Sequence, residues 1–363
     1  MSLKVNNAKL NKIRSHLVSY TPTKKINLEE YNKKKDLFLK ELQEYSQFIT
    51  LLPTKNYLKN RTIKQKQNFY RETEKLILHG FLLEKLITNS TMNKKLKDLF
   101  RNYLAVWAYQ SKIIKRGFKK PRGYAGDYKT IEMFYDQKIC SKNIGYFFDY
   151  YILNNTLAKA DISRKDKMIE LFRCFVEQKR SLPDLKILNF GCGGCKDLRD
   201  MFKEYYPPIQ LNITAVDQDL EALNFSRKFV RNFPKNVSVQ FQKQEIIKLL
   251  KRHRNCKVRL SSENFELIYS IGLVDYFSDN VLRLFVRFCL ASLVSGGQLI
   301  FAHKNSLKWR SFLAPDWLCN WRFYQRNKKR VLAILKHELR NHKLRIKWEK
   351  TGHMFFFIIT KNR

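Results

Sequence analysis

The stretch Lys186-Ile-Leu-Asn-Phe-Gly-Cys-Gly-Gly-Cys195 decides the fold prediction for this chain of 363 residues. Its first half, Ile187 to Phe190, is a short apolar run typical of a buried parallel strand. Its second half is a glycine-rich turn, and residues 196–205 follow with a helical pattern. Glycine is needed where a backbone bends sharply and where a ligand lies against it without an intervening Cβ. Because such an element can also be a simple tight connection, the downstream sequence decides its meaning.

Strands and helices alternate after this turn. A helix over residues 279–293 precedes Ser295-Gly-Gly297, and a short turn separates the last two predicted strands. The alternation predicts a doubly wound α/β sheet of seven strands, which ends in an antiparallel hairpin. The predicted strands after the first are residues 212–217, 237–241, 265–270, 298–303, 344–349 and 354–360.

Asp217 ends the second predicted strand, about twenty-five residues after the glycine turn. In dinucleotide-type folds a carboxylate at this place accepts hydrogen bonds from two ribose hydroxyls. A phosphate-binding loop would have a third glycine at the position of Lys196, where this chain has none. The Gly-x-Gly form, with Asp217 and with Glu245 after the third strand, resembles class I S-adenosylmethionine-dependent methyltransferases.

The methyltransferase resemblance implies S-adenosyl-L-methionine as the cofactor and the terminal hairpin as part of the sheet. Asn189 departs from the pattern, since many class I enzymes carry Asp or Glu there. The residues that we predict to bind the cofactor are Gly191, Cys192, Gly193, Asp217, Gln218, Gln244, Glu245, Ser270 and Gly272.

Three further stretches narrow the resemblance. Pro121-Arg-Gly-Tyr-Ala-Gly-Asp127, Tyr269-Ser-Ile-Gly-Leu-Val-Asp-Tyr276 and Trp317-Leu-Cys-Asn-Trp-Arg-Phe-Tyr-Gln-Arg326 resemble motifs of the bacterial 3-hydroxypalmitic acid methyl ester synthase family. The third stretch departs from its motif at Asn320 and Gln325. The likeness covers about residues 115 to 363, whereas we recognise no family resemblance in residues 1–90. It implies a small carboxylic acid, such as a hydroxy fatty acid, as the methyl acceptor.

The acceptor decides which side chains the reaction needs. A fatty-acid carboxylate is ionised at neutral pH, so it needs a cation to hold it rather than a general base. An amine or a hydroxyl would need a base or an orienting acceptor. The sequence leaves both open, with Tyr124, Asp127, Asp275 and Tyr276 as candidate catalytic residues. Candidate substrate-binding residues are Arg122, His303, Trp317, Trp321 and Arg326.

Several of these candidates also have a purely structural interpretation. Trp317 and Trp321 are four residues apart and form either the wall of an apolar pocket or ordinary core. The loop containing Tyr124 and Asp127 is predicted to close over the cofactor pocket, so that Asp127→Asn lowers turnover without unfolding. A fixed structural loop is the alternative. Cys192 and Cys195 lack a second pair at metal-binding spacing, so no metal site is predicted.

The part of the chain before the sheet is predicted to be helical. Residues 92–116 have the periodicity of one long helix, capped by Ser90 or Thr91. The predicted organisation is a helical domain at 1–117, a connecting segment at 118–182 covering the cofactor pocket, and a methyltransferase domain at 183–363.

Composition bears on partners and location. The net charge is +39, which fits either a nucleic-acid partner or an AT-biased coding sequence that enriches Lys, and the dispersed clusters favour the second. No uncharged apolar run reaches the ~18 residues of a membrane span. Seven cysteines without a signal peptide indicate the cytoplasm. The prediction is a methyltransferase for a small carboxylic acid, with an RNA or protein methyltransferase or an inactive cofactor-binding regulator as alternatives.

Overall fold

A computed structural model of the protein describes residues 3–20, 22, 26–52, 62–256 and 264–362. The chain divides into two compact units. The helical unit comprises residues 1–155 together with 309–322, and the sheet unit comprises residues 156–308 and 323–363. Residues 309–322 therefore belong to the helical unit, although the chain on both sides of them belongs to the sheet unit.

The helical unit is built from helices α1 to α7 and from α13, which lies in the 309–322 segment. Their bounds are α1 Leu3–Val18, α2 Leu28–Leu51, α3 Ile63–Glu84, α4 Ser90–Ala108, α5 Lys112–Lys119, α6 Tyr128–Asp136, α7 Asn143–Asn154 and α13 Leu313–Cys319.

Among the described residues, the sheet unit contains seven strands, the remaining helices and a short 3-10 segment at Val274–Tyr276, and a second 3-10 segment, Ser306–Phe312, spans the boundary between the two units. The strands are β1 Asp184–Phe190, β2 Gln210–Asp217, β3 Val237–Lys243, β4 Phe265–Ser270, β5 Leu293–Lys304, β6 Lys343–Trp348 and β7 Met354–Thr360. The helices are α8 Thr156–Gln178, α9 Lys196–Met201, α10 Leu220–Val230, α11 Ile246–Cys256, α12 Asp279–Ser292 and α14 Lys328–Ile334.

The strands form one sheet in the order β3-β2-β1-β4-β5-β7-β6. The first five strands run parallel, and β7 is antiparallel to both β5 and β6. This confirms the predicted seven-stranded sheet with its terminal antiparallel hairpin. The order reverses between β1 and β4, and the carboxyl ends of parallel strands flanking such a switch point are where ligands bind in open α/β sheets.

Helices cover both faces of the sheet, because the central strands are apolar on both sides. In β7, Phe355 and Phe357 pack into one buried cluster, which also includes side chains of α11, α12 and α14. Phe356 and Ile358 face the opposite cluster, to which α8, α9 and α10 contribute. The alternation of strand side chains thus divides one apolar segment between two cores.

The strand β5 begins five residues earlier than predicted. The Ser295-Gly-Gly297 stretch, predicted to separate helix from strand, lies inside β5, and the register against β4 shifts between Phe265 and Leu267. Gly296 has a φ of +75°, which a residue with a Cβ rarely adopts. Its amide donates to the carbonyl of Lys361, so a glycine bulge continues the strand instead of ending it.

The predicted helix at 92–116 is two helices in the structure. The chain leaves the helical path after Ala108, and Ser111 caps α5 by accepting a hydrogen bond from the Ile114 amide. The cap of α4 is Asn89, not Ser90 or Thr91, and its Oδ1 accepts from the amides of Thr91 and Met92. The apolar periodicity continues across the break, which explains why the pattern alone predicted one helix.

Candidate active site

The glycine turn after β1 has the backbone geometry that only small residues adopt easily. Gly191 and Gly193 have φ values of +67° and +51°. A Cβ on Gly191 would lie 3.1 Å from the Cβ of Leu273, which leaves little room for a side chain. The amides of Gly191 and Cys192 both donate to the carbonyl of Val216, so the turn is fastened to the end of β2.

Asp217, at the end of β2, contacts this turn directly. Its Oδ2 accepts a hydrogen bond from the Gly193 amide at 2.8 Å, and its Oδ1 accepts from the Asp219 amide at 2.9 Å. Burial raises the pKa of Asp217, although these amide hydrogen bonds act in the opposite direction. Two residues 24 positions apart in the chain are thereby brought together at one edge of the sheet.

The other predicted cofactor residues occupy the same strand ends. The Gln244 amide donates to the Asp217 carbonyl at 2.9 Å, and the side chain of Gln218 is exposed. Glu245 precedes α11, and its carboxylate pairs with Lys248 at 2.7 Å. The buried hydroxyl of Ser270 donates to the carbonyl of Phe190 and so joins the ends of β4 and β1.

Gly272 lies just beyond β4, beside a buried arginine. A Cβ placed on it would be 3.6 Å from a terminal guanidinium nitrogen of Arg164. Arg164 itself pairs with Asp161 at 3.1 Å, and both side chains are almost entirely buried. A Cβ at residue 272 would therefore make an ordinary van der Waals contact with Arg164.

Cys192 and Cys195 are buried within the turn, and Cys195 begins α9 with a left-handed φ of +48°. Burial, followed by the neighbouring Cys195 thiol, raises the pKa of Cys192 well above its ordinary value. A raised pKa keeps the Cys192 thiol protonated, and a protonated thiol is a poor nucleophile and a poor metal ligand. Within the described ranges of the chain, three or more His, Cys, Asp or Glu side chains nowhere converge as a metal site.

A buried polar chain beneath the turn was not predicted from the sequence. Asn189 Nδ2 donates to the Tyr269 hydroxyl at 2.8 Å, and this hydroxyl donates to Asp197 Oδ2 at 2.8 Å. All three side chains are buried. The sequence signal for it was the unusual Asn189. Its partner Tyr269 lies 80 positions away, and Asp197, at the other end of the hydrogen-bond chain, lies 8 positions away.

Asp275, a candidate catalytic residue, is paired with Lys304 through both carboxylate oxygens. Oδ1 accepts from the Lys304 amide at 2.8 Å and Oδ2 accepts from its Nζ at 2.7 Å. Burial alone would raise the pKa of Asp275, but Lys304 and His303 outweigh it, so the pKa lies below the ordinary value. Tyr276 next to it is half-buried, and its ring lies 5.5 Å from that of Phe323.

His303 and Arg326, both proposed to hold a substrate, contact each other instead. Arg326 Nη1 lies 3.2 Å from His303 Nε2, and His303 Nδ1 lies 2.7 Å from the Lys304 carbonyl. An Nδ1–H tautomer satisfies both contacts, and burial lowers the pKa of His303, which favours the neutral ring. Arg326 also donates to Asp279 and to the Phe277 carbonyl. The guanidinium group of Arg326 therefore has a structural role in the fold, since it bonds to these three residues.

We predict that Lys304 stabilises the folded protein through its ion pair with Asp275. In Lys304→Met, the buried Asp275 carboxylate loses its ion partner, which typically costs about 3–5 kcal/mol at neutral pH. Because the folded-state pKa of Asp275 is depressed in the parent, the pair stabilises above the ordinary carboxylate pKa and loses this effect as pH falls. Urea unfolding should therefore show a large difference from the parent at pH 7, and this difference should shrink as pH falls below the ordinary carboxylate pKa of about 3.9. The exposed Lys343→Met on β6 serves as the control, and an equal effect of both variants would contradict the prediction.

Asp127, a candidate catalytic residue in the helical unit, has a structural role. Asp127 is fully buried and caps α6 by accepting from the Thr130 amide at 2.9 Å. It also accepts two hydrogen bonds from Arg116, at 2.8 and 2.6 Å. Arg122 and Tyr124, on the same loop, are half-buried. The structural alternative for this loop thus accounts for the Asp127 carboxylate.

The two tryptophans also lie in the helical unit. Trp317 is completely buried, and its ring packs edge-on against Phe100 with centroids 4.9 Å apart. A Cβ on Gly80 would lie 2.6 Å from the Trp317 ring, so the absence of a side chain at residue 80 makes room for it. Trp321 is stacked on Phe134 at 6.1 Å. For both residues these are the contacts of core side chains, the second of the two interpretations left open by the sequence.

The solved structures described below are distantly similar to this chain. No protein-family model matches the sequence, and no curated protein matches it. Among solved structures, a "possible exported protein" from Bordetella parapertussis is 14% identical, with a TM-score of 0.49, and the match covers 85% of this chain and 99% of that chain. Magnesium protoporphyrin IX methyltransferase from Synechocystis PCC 6803 with bound S-adenosylmethionine is 10% identical (TM-score 0.40, 57% and 85% covered).

An N-methyltransferase from Bradyrhizobium japonicum WM9 in complex with S-adenosyl-L-homocysteine is 12% identical to the chain, with a TM-score of 0.39 and coverage of 58% and 90%. No acceptor follows from likenesses at this level. Throughout the part of the chain that the structure describes, no helix is both long and apolar enough to cross a membrane.

Proposed function

We propose that the chain is a class I S-adenosylmethionine-dependent methyltransferase. The observation that carries this proposal is the contact between Asp217 and the Gly191–Gly193 turn at the carboxyl edge of the sheet. At Gly191 and Gly193 the turn offers backbone without a side chain, and Asp217 offers a buried carboxylate beside it. This combination suits a nucleoside, whose ribose hydroxyls donate hydrogen bonds and whose body lies against the backbone.

The residues present fit such a cofactor. The Asp217 carboxylate accepts backbone hydrogen bonds from Gly193, Asp219 and Gln218, and its two oxygens together have capacity for a further donor. Gln244 and Glu245, after β3, supply polar groups for the adenine amino group. The cofactor, when bound, supplies a methyl group on a sulfonium, and the protein's contribution to the displacement is alignment and exclusion of water.

For the acceptor we propose a small carboxylic acid, in keeping with the resemblance of the three sequence motifs. Two buried groups at the ends of β4 and β5 support this choice. Asp275 is committed to Lys304, and His303 Nε2 faces an Arg326 nitrogen, so neither is placed to take a proton from an amine or a hydroxyl. A carboxylate acceptor requires no such proton transfer at neutral pH. Its cation, however, is not Arg326 unless the hydrogen bonds to Asp279 are broken.

An RNA or protein acceptor is the second candidate, and the observation that favours it is the charge. Lys and Arg outnumber Asp and Glu by 33 to 14 in the helical unit and by 38 to 18 in the sheet unit. An excess spread over both units resembles an overall compositional bias more than one nucleic-acid surface. RNA binding would require a log–log salt slope near −0.7 for each phosphate contact on a single strand.

The decisive experiment supplies the purified protein with methyl-labelled S-adenosylmethionine and, separately, lipid extract, total RNA or protein extract. We expect label in a base-labile ester that organic solvent extracts from the lipid sample. Label in RNA or protein alone would replace the proposed acceptor. Cofactor binding by calorimetry without transfer to any sample would instead support an inactive cofactor-binding regulator. Absence of cofactor binding would overturn the methyltransferase proposal.

A further inference from the structure

Tyr269 links three elements beneath the glycine turn. It lies on β4, accepts a hydrogen bond from Asn189 on β1, and donates one to Asp197 on α9. The Tyr269 ring is fully buried and packs edge-on against Phe172 with centroids 5.9 Å apart. Because β1 enters the turn and α9 leaves it, the tyrosine hydroxyl connects the two ends of the cofactor loop through the neighbouring strand.

The hydrogen bonds in this chain have a defined direction. The Asn189 amide nitrogen has only protons to give, and the Tyr269 hydroxyl has one proton, which leaves Asp197 as the final acceptor. The backbone amide of Leu198 also bonds to the Asp197 carboxylate. A carboxylate at residue 189 would place the single hydroxyl proton between two acceptors, and one of these buried carboxylates would then be unsatisfied.

On its α9 side the turn is held by tertiary contacts: Leu198 and Met201 pack in the buried cluster on this face of the sheet, and Asp200 pairs with Lys165 of α8 at 2.8 Å. Cys195 begins α9 in a left-handed conformation without a side-chain cap, and the helix is only six residues long. A short helix without a cap gains little stability from its own backbone. The position of α9, and with it the exit of the turn, therefore depends on contacts such as the one between Asp197 and Tyr269.

We propose that Asn189, Tyr269 and Asp197 form a directional hydrogen-bond chain that positions the glycine turn for the cofactor. They are positioning residues, since none of them is placed here against the cofactor itself. The inference rests on the proposed function. It adds which residues fix the geometry of the glycine turn that the cofactor contacts. It also explains why residue 189 is an amide: the donor must stand on β1 because the acceptor stands on α9.

A residue swap tests the direction of the chain. Asn189→Asp and Asp197→Asn each leave the hydroxyl with unsuitable partners, and each should weaken S-adenosylmethionine binding at least about tenfold, the equivalent of one hydrogen bond to a charged group. The double variant Asn189→Asp/Asp197→Asn reverses the chain. Its new asparagine donates to Tyr269, keeps an oxygen for the Leu198 amide, and should restore affinity to within about threefold of the parent.

Tyr269→Phe provides a second variant, with Tyr205→Phe as its matched control. The hydroxyl of Tyr205, a largely buried residue, likewise donates to a carboxylate, that of the exposed Glu177 at 2.8 Å, but without contact to the turn. We expect both variants to lose thermal stability, and only Tyr269→Phe to bind the cofactor more weakly, with kcat at saturating cofactor little changed. A swap no better than the single variants, or equal affinities for both phenylalanine variants, would overturn the inference. Failure of the parent to bind cofactor would refute the proposed function instead.

Discussion

Replacing Asp217 by alanine is expected to weaken S-adenosylmethionine binding at least about a hundredfold. Two ribose hydroxyls would lose the anionic acceptor that the buried Asp217 supplies, at about 1–3 kcal/mol for each lost partner. The variant also releases the Gly193 and Asp219 amides, which loosens the turn against which the cofactor lies. Isothermal calorimetry with the purified variant measures the change directly.

The control for this variant is Asp184→Ala, at the opposite end of the same parallel strands. Asp184 begins β1, and its Oδ2 accepts a hydrogen bond from Asn212 at 2.9 Å. Its removal costs a comparable side-chain contact at the amino edge of the sheet, where parallel strands do not bind ligands. Cofactor affinity should therefore stay at the parent level. If Asp217→Ala binds like the parent, the proposed cofactor site is wrong.

The second large effect is expected for Asp127→Asn, as a loss of thermal stability. The parent carboxylate is buried and holds Arg116 through two hydrogen bonds, so the amide cannot maintain the ion pair. Breaking a buried pair costs about 3–5 kcal/mol, and the partial exposure of Arg116 places this pair near the lower limit. The melting temperature of the helical unit should fall by roughly 10 °C.

Asp136→Asn on the same helix is the matched control, because Asp136 is exposed at the carboxyl end of α6. Its melting temperature should differ from that of the parent by no more than about 2 °C. Melting is followed by circular dichroism, and specific activity is measured on the fraction that remains folded. Unchanged melting of Asp127→Asn together with reduced turnover would support the catalytic role predicted from the sequence over the structural one.

Local sequence patterns were sufficient for the sheet. Apolar runs at 187–190 and 354–360 predicted strands, because a strand buried on both faces must be apolar at successive positions. The glycine turn and Asp217 were found from their spacing, since the backbone conformation and the strand end are local properties. Helix and strand boundaries were predicted less well, as the glycine bulge inside β5 and the break after Ala108 illustrate.

The sequence did not predict which side chains contact each other when they are far apart in the chain. Trp317 appeared beside Arg326 in a motif, yet its ring packs in the helical unit while Arg326 bonds to His303 and Asp279 in the sheet unit. The two residues stand nine positions apart in the chain, and the division of the segment at residue 322 assigns them to different units. Apolar and charged residues alike take their partners from the whole fold.

By itself, the sequence determined the fold class, the glycine turn and the acidic residue at the end of the second strand. Each of these depends on periodicity or backbone conformation within a few residues. Only the tertiary structure decided which polar side chains are already satisfied. Asp275, His303 and Asp127 have the chemistry of catalytic groups, but their partners Lys304, Arg326 and Arg116 lie 29, 23 and 11 positions away and occupy them. A buried charge must be paired, and the geometry of the folded chain determines the residue that pairs with it.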